Sequence, residues 1–190
     1  FGPISGTERF PWKLWRTLSP AALAFEIFRE VLGWCSWWSP QVRACVRRAA
    51  VIPVTHAQAG RVLAKLRGSD RGIIPFVNVF FTEEEIRRLR RPSPSALPTQ
   101  DQPLQIFGSG NCEGRKGVAI ALEALKIMKG RGIPFRYIYS NPGPETAFLR
   151  KKAEKLGLSA EVSLGGFLPR EDYLKTLQAT EIYLLPSLRE

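Results

Sequence analysis

Gly108-Ser-Gly-Asn-Cys-Glu-Gly-Arg-Lys-Gly117 is the stretch of the sequence on which the interpretation of the whole chain depends. An apolar run ends just before it at Phe107, and a helix-forming run follows it. Glycines let a backbone approach a phosphate closely, and a helix N-terminus offers free amides and a positive dipole end. With the cations of Arg115 and Lys116 beside them, these features predict a diphosphate-binding loop. A flexible strand-to-helix turn with two surface cations is the alternative.

Strand-like and helix-like segments alternate on both sides of this loop. The pattern predicts strands over 104–107, 135–139, 160–164 and 182–185, and helices over 117–129, 144–156 and 170–179. Such alternation is typical of a parallel sheet with right-handed helical crossovers, which is a Rossmann-like α/β domain. Ligands bind such domains at the carboxyl ends of the strands, so the loops there are the candidate site.

A dinucleotide-binding loop is a competing interpretation, because Gly108-x-Gly110 resembles the start of that fingerprint. The fingerprint also requires a third glycine and an acidic residue at the end of the second strand. The chain has Asn111-Cys-Glu113 and Tyr139-Ser-Asn141 at those places. The missing ribose-binding carboxylate disfavours this interpretation.

A Pro/Ser-rich stretch divides the sequence into two halves. Its prolines can neither continue a helix nor pair in a sheet interior, so we expect a linker over 92–103 between domains 1–91 and 104–190. In the first half the pattern predicts helices over 20–32, 40–48, 56–66 and 83–91 and strands over 50–54 and 72–81. Ser19, Thr55 and Thr82 are the expected helix caps.

Composition limits the classes of protein that fit. The chain has 190 residues, 44% of them hydrophobic and 24% charged, as in folded soluble proteins. Three cysteines and a single histidine, His56, disfavour a disulfide framework, a zinc site and histidine-based catalysis. The net charge is +11, and residues 1–95 hold 15 basic against 7 acidic side chains. This charge favours anionic partners, with a solvated surface as the alternative.

Three further loops follow the first in a fixed order. They are Gly143-Pro-Glu145, Gly166-Phe-Leu-Pro169 and Pro186-Ser-Leu-Arg-Glu190. Together with Gly110–Gly117, this series resembles the donor-binding domain of GT-B glycosyltransferases of family 4. That family has G-R-L-x-x-x-K-G, G-x-G-P-E, G-F/Y-V/L-P and P-S-x-x-E in the same order.

The resemblance implies a fold, an activity and a set of site residues. It implies the α/β GT-B fold, two Rossmann-like domains with parallel sheets flanked by helices, both incomplete here. It implies retaining transfer of a hexose from a nucleoside diphosphate sugar to a hydroxyl acceptor, without a metal or a cofactor. By position, the residues for the donor diphosphate are Gly110, Asn111, Arg115 and Lys116, those for the nucleotide are Gly143, Gly166 and Phe167, and the catalytic contact to the donor sugar is Glu190.

One departure from the family pattern concerns charge. The family's arginine after the first glycine is Asn111 in this chain. Arg115, beside Lys116, is the expected source of the missing positive charge.

The first half resembles the later portion of the family's acceptor domain more loosely. Residues 50–66 match a strand followed by a helix, and the family has no catalytic histidine at His56, so we expect this side chain to cap a helix or lie on the surface. Both chain ends look like cuts, so we expect a fragment that is inactive by itself. The family implies a role in the synthesis of cell-envelope polysaccharide or glycolipid.

All five tryptophans lie in the first 38 residues, interleaved with cations. They are Trp12, Trp15, Trp34, Trp37 and Trp38. Tryptophan beside basic residues is typical of surfaces at a bilayer interface. Burial in a domain core is the alternative, and the sequence leaves both open. We expect a cytoplasmic protein, peripheral on the cytoplasmic face of a membrane if the first alternative holds.

A second class of function is a non-enzymatic basic binding module for membranes or nucleic acids. It would use the charge of the first half and leave the loops as scaffold. The signatures of common RNA-binding modules are absent from the sequence, so we expect no nucleic-acid partner. Nucleoside diphosphates should stabilise a glycosyltransferase and leave such a module unaffected.

Overall fold

A computed structural model describes residues 10–76, 81–89 and 99–188. These residues form two compact units. The first unit holds residue 10 and residues 23–76, and the second holds residues 11–22, 81–89 and 99–188. The division differs from the boundary expected from the Pro/Ser-rich stretch, most of which lies outside the described residues.

The first unit is mainly helical with a two-stranded parallel sheet. Its elements are α1 (Pro20–Trp38, which begins in the second unit), α2 (Pro40–Arg48), β1 (Ile52–Val54), α3 (Ala57–Arg67) and β2 (Ile73–Pro75). Val46, Ile52 and Leu63 form its buried core, and β1 pairs with β2 in parallel. Glycine at position 72 is required, because its φ is +77° and a side chain there would meet the carbonyl oxygen of Ala50.

Two helix boundaries in this unit correct the sequence analysis. Helix α1 runs to Trp38, six residues beyond its predicted end, and stops where Ser39 precedes Pro40. A residue before proline is disfavoured in helical conformation, which explains the stop. Helix α3 is capped by His56, whose Nδ1 accepts from the N–H of Ala59 at 3.2 Å, and Thr55 is not the cap. The expectation of a capping role for His56 is therefore confirmed.

The second unit is a four-stranded parallel sheet with helices on both faces. After α4 (Glu83–Leu89) its elements are β3 (Leu104–Ser109), α5 (Val118–Gly130), β4 (Phe135–Ser140), α6 (Thr146–Lys155), β5 (Val162–Gly166), α7 (Arg170–Ala179) and β6 (Ile182–Tyr183). The strand order is β5-β4-β3-β6. From β3 the chain adds β4 and then β5 on one side, and it then crosses back to place β6 on the other side of β3. This is the strand arrangement of a Rossmann fold, which the alternation of strands and helices in the sequence predicted.

Helix α4 packs on α7 within this unit. The Arg170 guanidinium donates to Glu85 Oε1 from Nε at 2.9 Å and from Nη2 at 2.7 Å, and Gln178 donates to the Arg88 carbonyl at 2.9 Å. Thr82 caps α4 as expected, and its N–H donates to Glu85 Oε2 at 2.8 Å in return. That N–H, followed by Arg170, holds the pKa of Glu85 below its ordinary value. These contacts explain why residues 81–89 belong to the second unit.

The main core lies between the sheet and helices α5 and α6. Tyr137 and Tyr139 are fully buried there, and neither hydroxyl has a hydrogen-bond partner among the described residues. Their rings lie against Gly108, where an added Cβ would come within 2.8 Å of Tyr139 Cδ2 and 3.1 Å of Tyr137 Oη. Burial raises the pKa of both phenols well above the ordinary value.

These two phenols should make stability fall in alkaline solution. Above about pH 10 the unfolded chain releases their protons while the folded chain retains them, so the free energy of unfolding should decrease as pH rises. Each phenol contributes a slope of about 1.4 kcal/mol per pH unit in that range. Denaturant unfolding of the Tyr137→Phe, Tyr139→Phe double variant between pH 9 and 11 should show a shallower fall than the unsubstituted chain. An equal fall with pH in the two proteins would show that burial does not raise the pKa of these phenols.

Candidate functional site

Four loops lie at the carboxyl edge of the second unit's sheet, and each begins at or just after the end of one strand. We call residues 110–117 the phosphate loop, 141–145 the second loop, 165–169 the third loop and 184–188 the fourth loop. In this fold the order of the strands reverses at β3, and the crevice at that point is the usual place for a ligand. The phosphate loop and the fourth loop flank this point.

The phosphate loop folds tightly from β3 into α5. Gly110 has a φ of +123° and Gly117 a φ of +67°, both in the region that favours glycine. Between them Gly114–Lys116 form a 3₁₀ turn. The side chain of Lys116 returns toward the start of the loop, since its Cε would lie 3.5 Å from a Cβ placed on Gly110. The lysine and the N-terminal end of α5 therefore belong to one compact structure.

The fourth loop is bound directly to the phosphate loop. The N–H of Leu188 donates to the Arg115 carbonyl at 2.8 Å. Gly117 lies so close to the Pro186 carbonyl oxygen that a side chain there would overlap it. The hydroxyl of Ser187 is buried and has no hydrogen-bond partner within the part of the chain that the structure describes. The loops after β3 and β6 thus meet at the point where the strand order reverses.

The second loop packs on the opposite side of the phosphate loop. The N–H of Glu145 donates to the Cys112 carbonyl at 2.9 Å. A Cβ on Gly143 would come within 2.6 Å of both the nitrogen and the carbonyl oxygen of Cys112. Cys112 itself is fully buried, and burial raises the pKa of its thiol. The absence of a side chain at Gly143 lets the two backbones touch.

The third loop continues the series from the second. The N–H of Asn141 donates to the Gly166 carbonyl at 2.8 Å, and Asn141 has a φ of +73°, a conformation that asparagine tolerates better than most residues. Gly166 faces open space, because no atom lies within 4 Å of an added Cβ. Phe167 is 74% exposed. A nucleotide base that reached this loop would therefore meet the accessible ring of Phe167 and the accessible backbone of Gly166.

The cations expected to hold the diphosphate differ in their surroundings. The guanidinium of Arg115 donates from Nε to Glu113 Oε2 at 2.6 Å, so its charge is partly offset. The amide of Asn111 donates to the other oxygen of Glu113 at 3.4 Å. A replacement by Arg115 of the charge absent at Asn111 stays a prediction. Lys116 is the cation that the fold brings beside Gly110.

The structure places the other predicted residues unequally. Gly110, Lys116 and Gly143 lie on adjoining loops, with Gly166 and Phe167 at the far end of the series. Glu190, the predicted contact to the donor sugar, lies outside the described residues.

Some residues of this region were missed by the sequence analysis. Ser109, at the end of β3, lies 2.7 Å from the Tyr183 hydroxyl and 3.3 Å from that of Tyr173, joining three hydroxyl groups. The side chain of Ser19 is bound to Glu145, although 126 positions separate the two residues. No local pattern predicts such contacts, because the partners come together only when the sheet forms.

The described ranges hold neither a candidate metal cluster nor a helix that could span a membrane. Within residues 10–76, 81–89 and 99–188, no group of three or more His, Cys, Asp or Glu side chains could hold a metal ion. No helix in those same ranges is both long and apolar enough to cross a membrane.

Residues 90–190, more than half of the chain, match the family model for glycosyl transferases group 1. The chain therefore belongs to that family. The matched region includes all four loops and every strand of the second unit's sheet.

Individual proteins resemble the chain over a larger part of its length. The putative colanic acid biosynthesis glycosyltransferase WcaL of Salmonella typhimurium is 26% identical over 161 residues, which is 84% of this chain and 37% of WcaL. The chain thus spans little more than a third of this relative.

Solved structures agree on the fold. The lipopolysaccharide outer core galactosyltransferase WaaB has a TM-score of 0.56 and 15% identity, over 80% of this chain and 40% of that one. The Anabaena protein HepE, solved with UDP and glucose, has a TM-score of 0.55 and 16% identity, over 77% and 40%. The fold is therefore the α/β GT-B type, as the sequence predicted.

The contact between Gly143 and Cys112 can be tested by one methyl group. Gly143→Ala should lower the free energy of unfolding by about 1–3 kcal/mol, because the added Cβ meets backbone atoms of the phosphate loop that cannot turn aside. Gly166→Ala is the matched control, since its Cβ enters open space. Urea unfolding of both variants gives the comparison. Similar losses at the two positions would contradict the packing described for the second loop.

Proposed function

We propose that the chain is the donor-binding part of a glycosyltransferase that moves a hexose from a nucleoside diphosphate sugar to a hydroxyl acceptor. We propose further that transfer proceeds with retention, as in family 4, in the synthesis of a cell-envelope polysaccharide or glycolipid. The observation that carries the proposal is the junction of the phosphate loop and the fourth loop where the strand order reverses. Lys116 and the start of α5 lie at that junction.

The chemistry of this junction suits a leaving diphosphate. Negative charge develops on the diphosphate as the bond to the sugar breaks, and preorganised cations and amides stabilise such charge. The start of α5 presents the positive end of a helix dipole, and Lys116 supplies a positive charge beside it. Under this proposal Glu190 binds the sugar, and the exposed ring of Phe167 lies against the base.

The diphosphate assignment can be tested by Lys116→Ala. UDP, GDP and ADP are the probes, and the unsubstituted chain should be stabilised by at least one of them. Removal of the lysine should weaken that binding by about tenfold to hundredfold, because a charge-assisted hydrogen bond to phosphate is lost. Isothermal titration calorimetry measures the affinity, and thermal unfolding with and without the nucleotide checks it.

Lys126→Ala is the matched control for this test. Lys126 lies on α5, the helix that follows the phosphate loop, but it is exposed and nearer to the C-terminal end of that helix. It should bind the nucleotide as the unsubstituted chain does. Equal affinity in the Lys116 variant would remove the phosphate assignment, and binding of none of the three nucleotides would remove the proposed function.

We also propose that the chain contacts a membrane surface peripherally, from the cytoplasmic side. Helix α1 carries an unusual distribution of side chains, with its apolar residues outward. Trp34 is 61% and Trp38 66% exposed, and Phe25 and Phe28 on the same helix are exposed as well. The charged residue Glu26 is instead buried, beside Arg29.

The five tryptophans therefore do not share one environment. Trp12, Trp34 and Trp38 are exposed, whereas Trp37 packs against the core of the first unit and Trp15 is half-buried. The guanidinium of Arg43 lies 5.7 Å from the Trp38 ring centre. Exposed tryptophan and phenylalanine beside arginine are suited to the headgroup region of an anionic bilayer.

Co-sedimentation with vesicles that contain phosphatidylglycerol tests this surface. The Trp34→Ala, Trp38→Ala double variant should lose most of the vesicle binding of the unsubstituted chain at low salt, because the interfacial aromatic rings are removed. Phe167→Ala, which removes an exposed aromatic ring elsewhere, should bind normally. No binding by the unsubstituted chain, or equal loss in the control, would contradict membrane contact through α1.

A further inference from the structure

A short segment near the start of the chain lies against the phosphate loop and the second loop. Residues 11–22 belong to the same compact unit as those loops, although about ninety residues of sequence separate the two parts. The segment consists of a 3₁₀ helix, Trp12–Thr17, then Leu18 and Ser19, then the start of α1. Leu18 and Ser19 are both buried, at 8% and 7% exposure.

Ser19 is bound to the glutamate of the second loop by two hydrogen bonds. Its N–H donates to Glu145 Oε2 at 3.2 Å, and its hydroxyl donates to Glu145 Oε1. The same hydroxyl accepts from the N–H of Ala22 at 3.1 Å, so Ser19 also caps α1. Glu145 is 4% exposed, and these donors stabilise a carboxylate that has little contact with water.

Leu18 packs closely against the phosphate loop at Gly114. A Cβ on Gly114 would overlap Leu18 Cδ2 and would lie 3.5 Å from the Cβ of Ala22. The segment therefore touches the phosphate loop directly through Leu18 and the second loop through Ser19.

Glu145 connects these contacts to the place where the phosphate is expected. Its side chain binds Ser19, while its own N–H donates to the carbonyl of Cys112 in the phosphate loop at 2.9 Å. One residue thus holds the segment with its side chain and the phosphate loop with its backbone.

We propose that Ser19 is a positioning residue for the donor diphosphate, acting through Glu145 on the phosphate loop. The inference rests on the proposed function, since it assigns part of the donor site to residues 11–22.

The charge of Glu145 gives Ser19 a second effect. A buried carboxylate near an anion site repels the anion unless donors offset its charge. The N–H and hydroxyl of Ser19, together with the positive end of α1, provide that offset. Without the hydroxyl, the carboxylate has one donor fewer beside a loop that has to bind phosphate.

Calorimetric titration of the full chain tests the role of Ser19, with UDP, GDP and ADP as probes. Ser19→Ala should weaken the tightest of these by about tenfold, the loss typical of one hydrogen bond to a charged group. The affinity for the corresponding nucleoside monophosphate should fall less. Ser19→Thr keeps the hydroxyl and should restore binding.

Ser36→Ala is the matched control. Its hydroxyl donates to the Leu32 carbonyl within the same helix, on the exposed side. It should leave the affinity unchanged. A Ser19→Ala variant that unfolds at lower temperature but binds the diphosphate as tightly as the unsubstituted chain would overturn the inference, because Ser19 would then be only a helix cap.

A second pair of variants tests the contact of Leu18 without changing Ser19. Gly114→Ala should weaken diphosphate binding, because the new methyl group displaces Leu18 from the phosphate loop. Addition of Leu18→Ala should recover much of the affinity by making room for it. Failure of this rescue would overturn the interlocking role of the segment.

The outcomes also separate this inference from the proposed function. If the unsubstituted chain binds none of the three nucleotides, the proposed function fails and the inference fails with it. If the unsubstituted chain binds and the Lys116 variant does not, while Ser19→Ala binds normally, only the inference fails.

Discussion

The central position of β3 is the constraint on which the second unit depends. Its neighbours are β4 on one side and β6 on the other, so the chain leaves β3 in one direction and returns to its opposite edge. The loops after β3 and β6 must then lie side by side, whatever residues they contain. Glycine at position 117 is what lets them touch, because any side chain there would overlap the Pro186 carbonyl.

Acidic side chains near the expected diphosphate are engaged by protein donors. Glu113 accepts from Arg115 and Asn111, and Glu145 accepts from Ser19. These bonds orient the carboxylates and offset their charge, which a site for an anion requires. The same loops could not bind a diphosphate well if the two carboxylates faced it without such partners. The cation of Lys116 can then act in surroundings whose negative charges are already stabilised.

The features predictable from the sequence are those set by nearby residues. The alternation of strand-like and helix-like segments predicted the parallel sheet. The predicted bounds of α7 agree with the observed Arg170–Ala179, because proline and acidic residues mark its start. The association of α4 with the rest of the second unit was not predictable, since Glu85 and Arg170 are 85 positions apart. Ser19 and Glu145, which are also in contact, lie even further apart in the sequence, by 126 positions. The packing of α4 on α7 decides which unit residues 81–89 join.

The distribution of aromatic residues assigns the optical signals of tryptophan and of tyrosine to different parts of the sequence. Every tryptophan lies between positions 12 and 38, and every tyrosine between 137 and 183, in the second unit's sheet and its helix α7. Fluorescence excited at the red edge of the absorption band therefore comes from the first part of the chain alone. Ultraviolet difference spectra of tyrosine come from the residues around the phosphate loop, where Tyr139 lies beneath Gly110. Spectroscopy without any attached label can therefore follow the tryptophans of residues 11–22 and α1, and the tyrosines of the second unit, in the same sample.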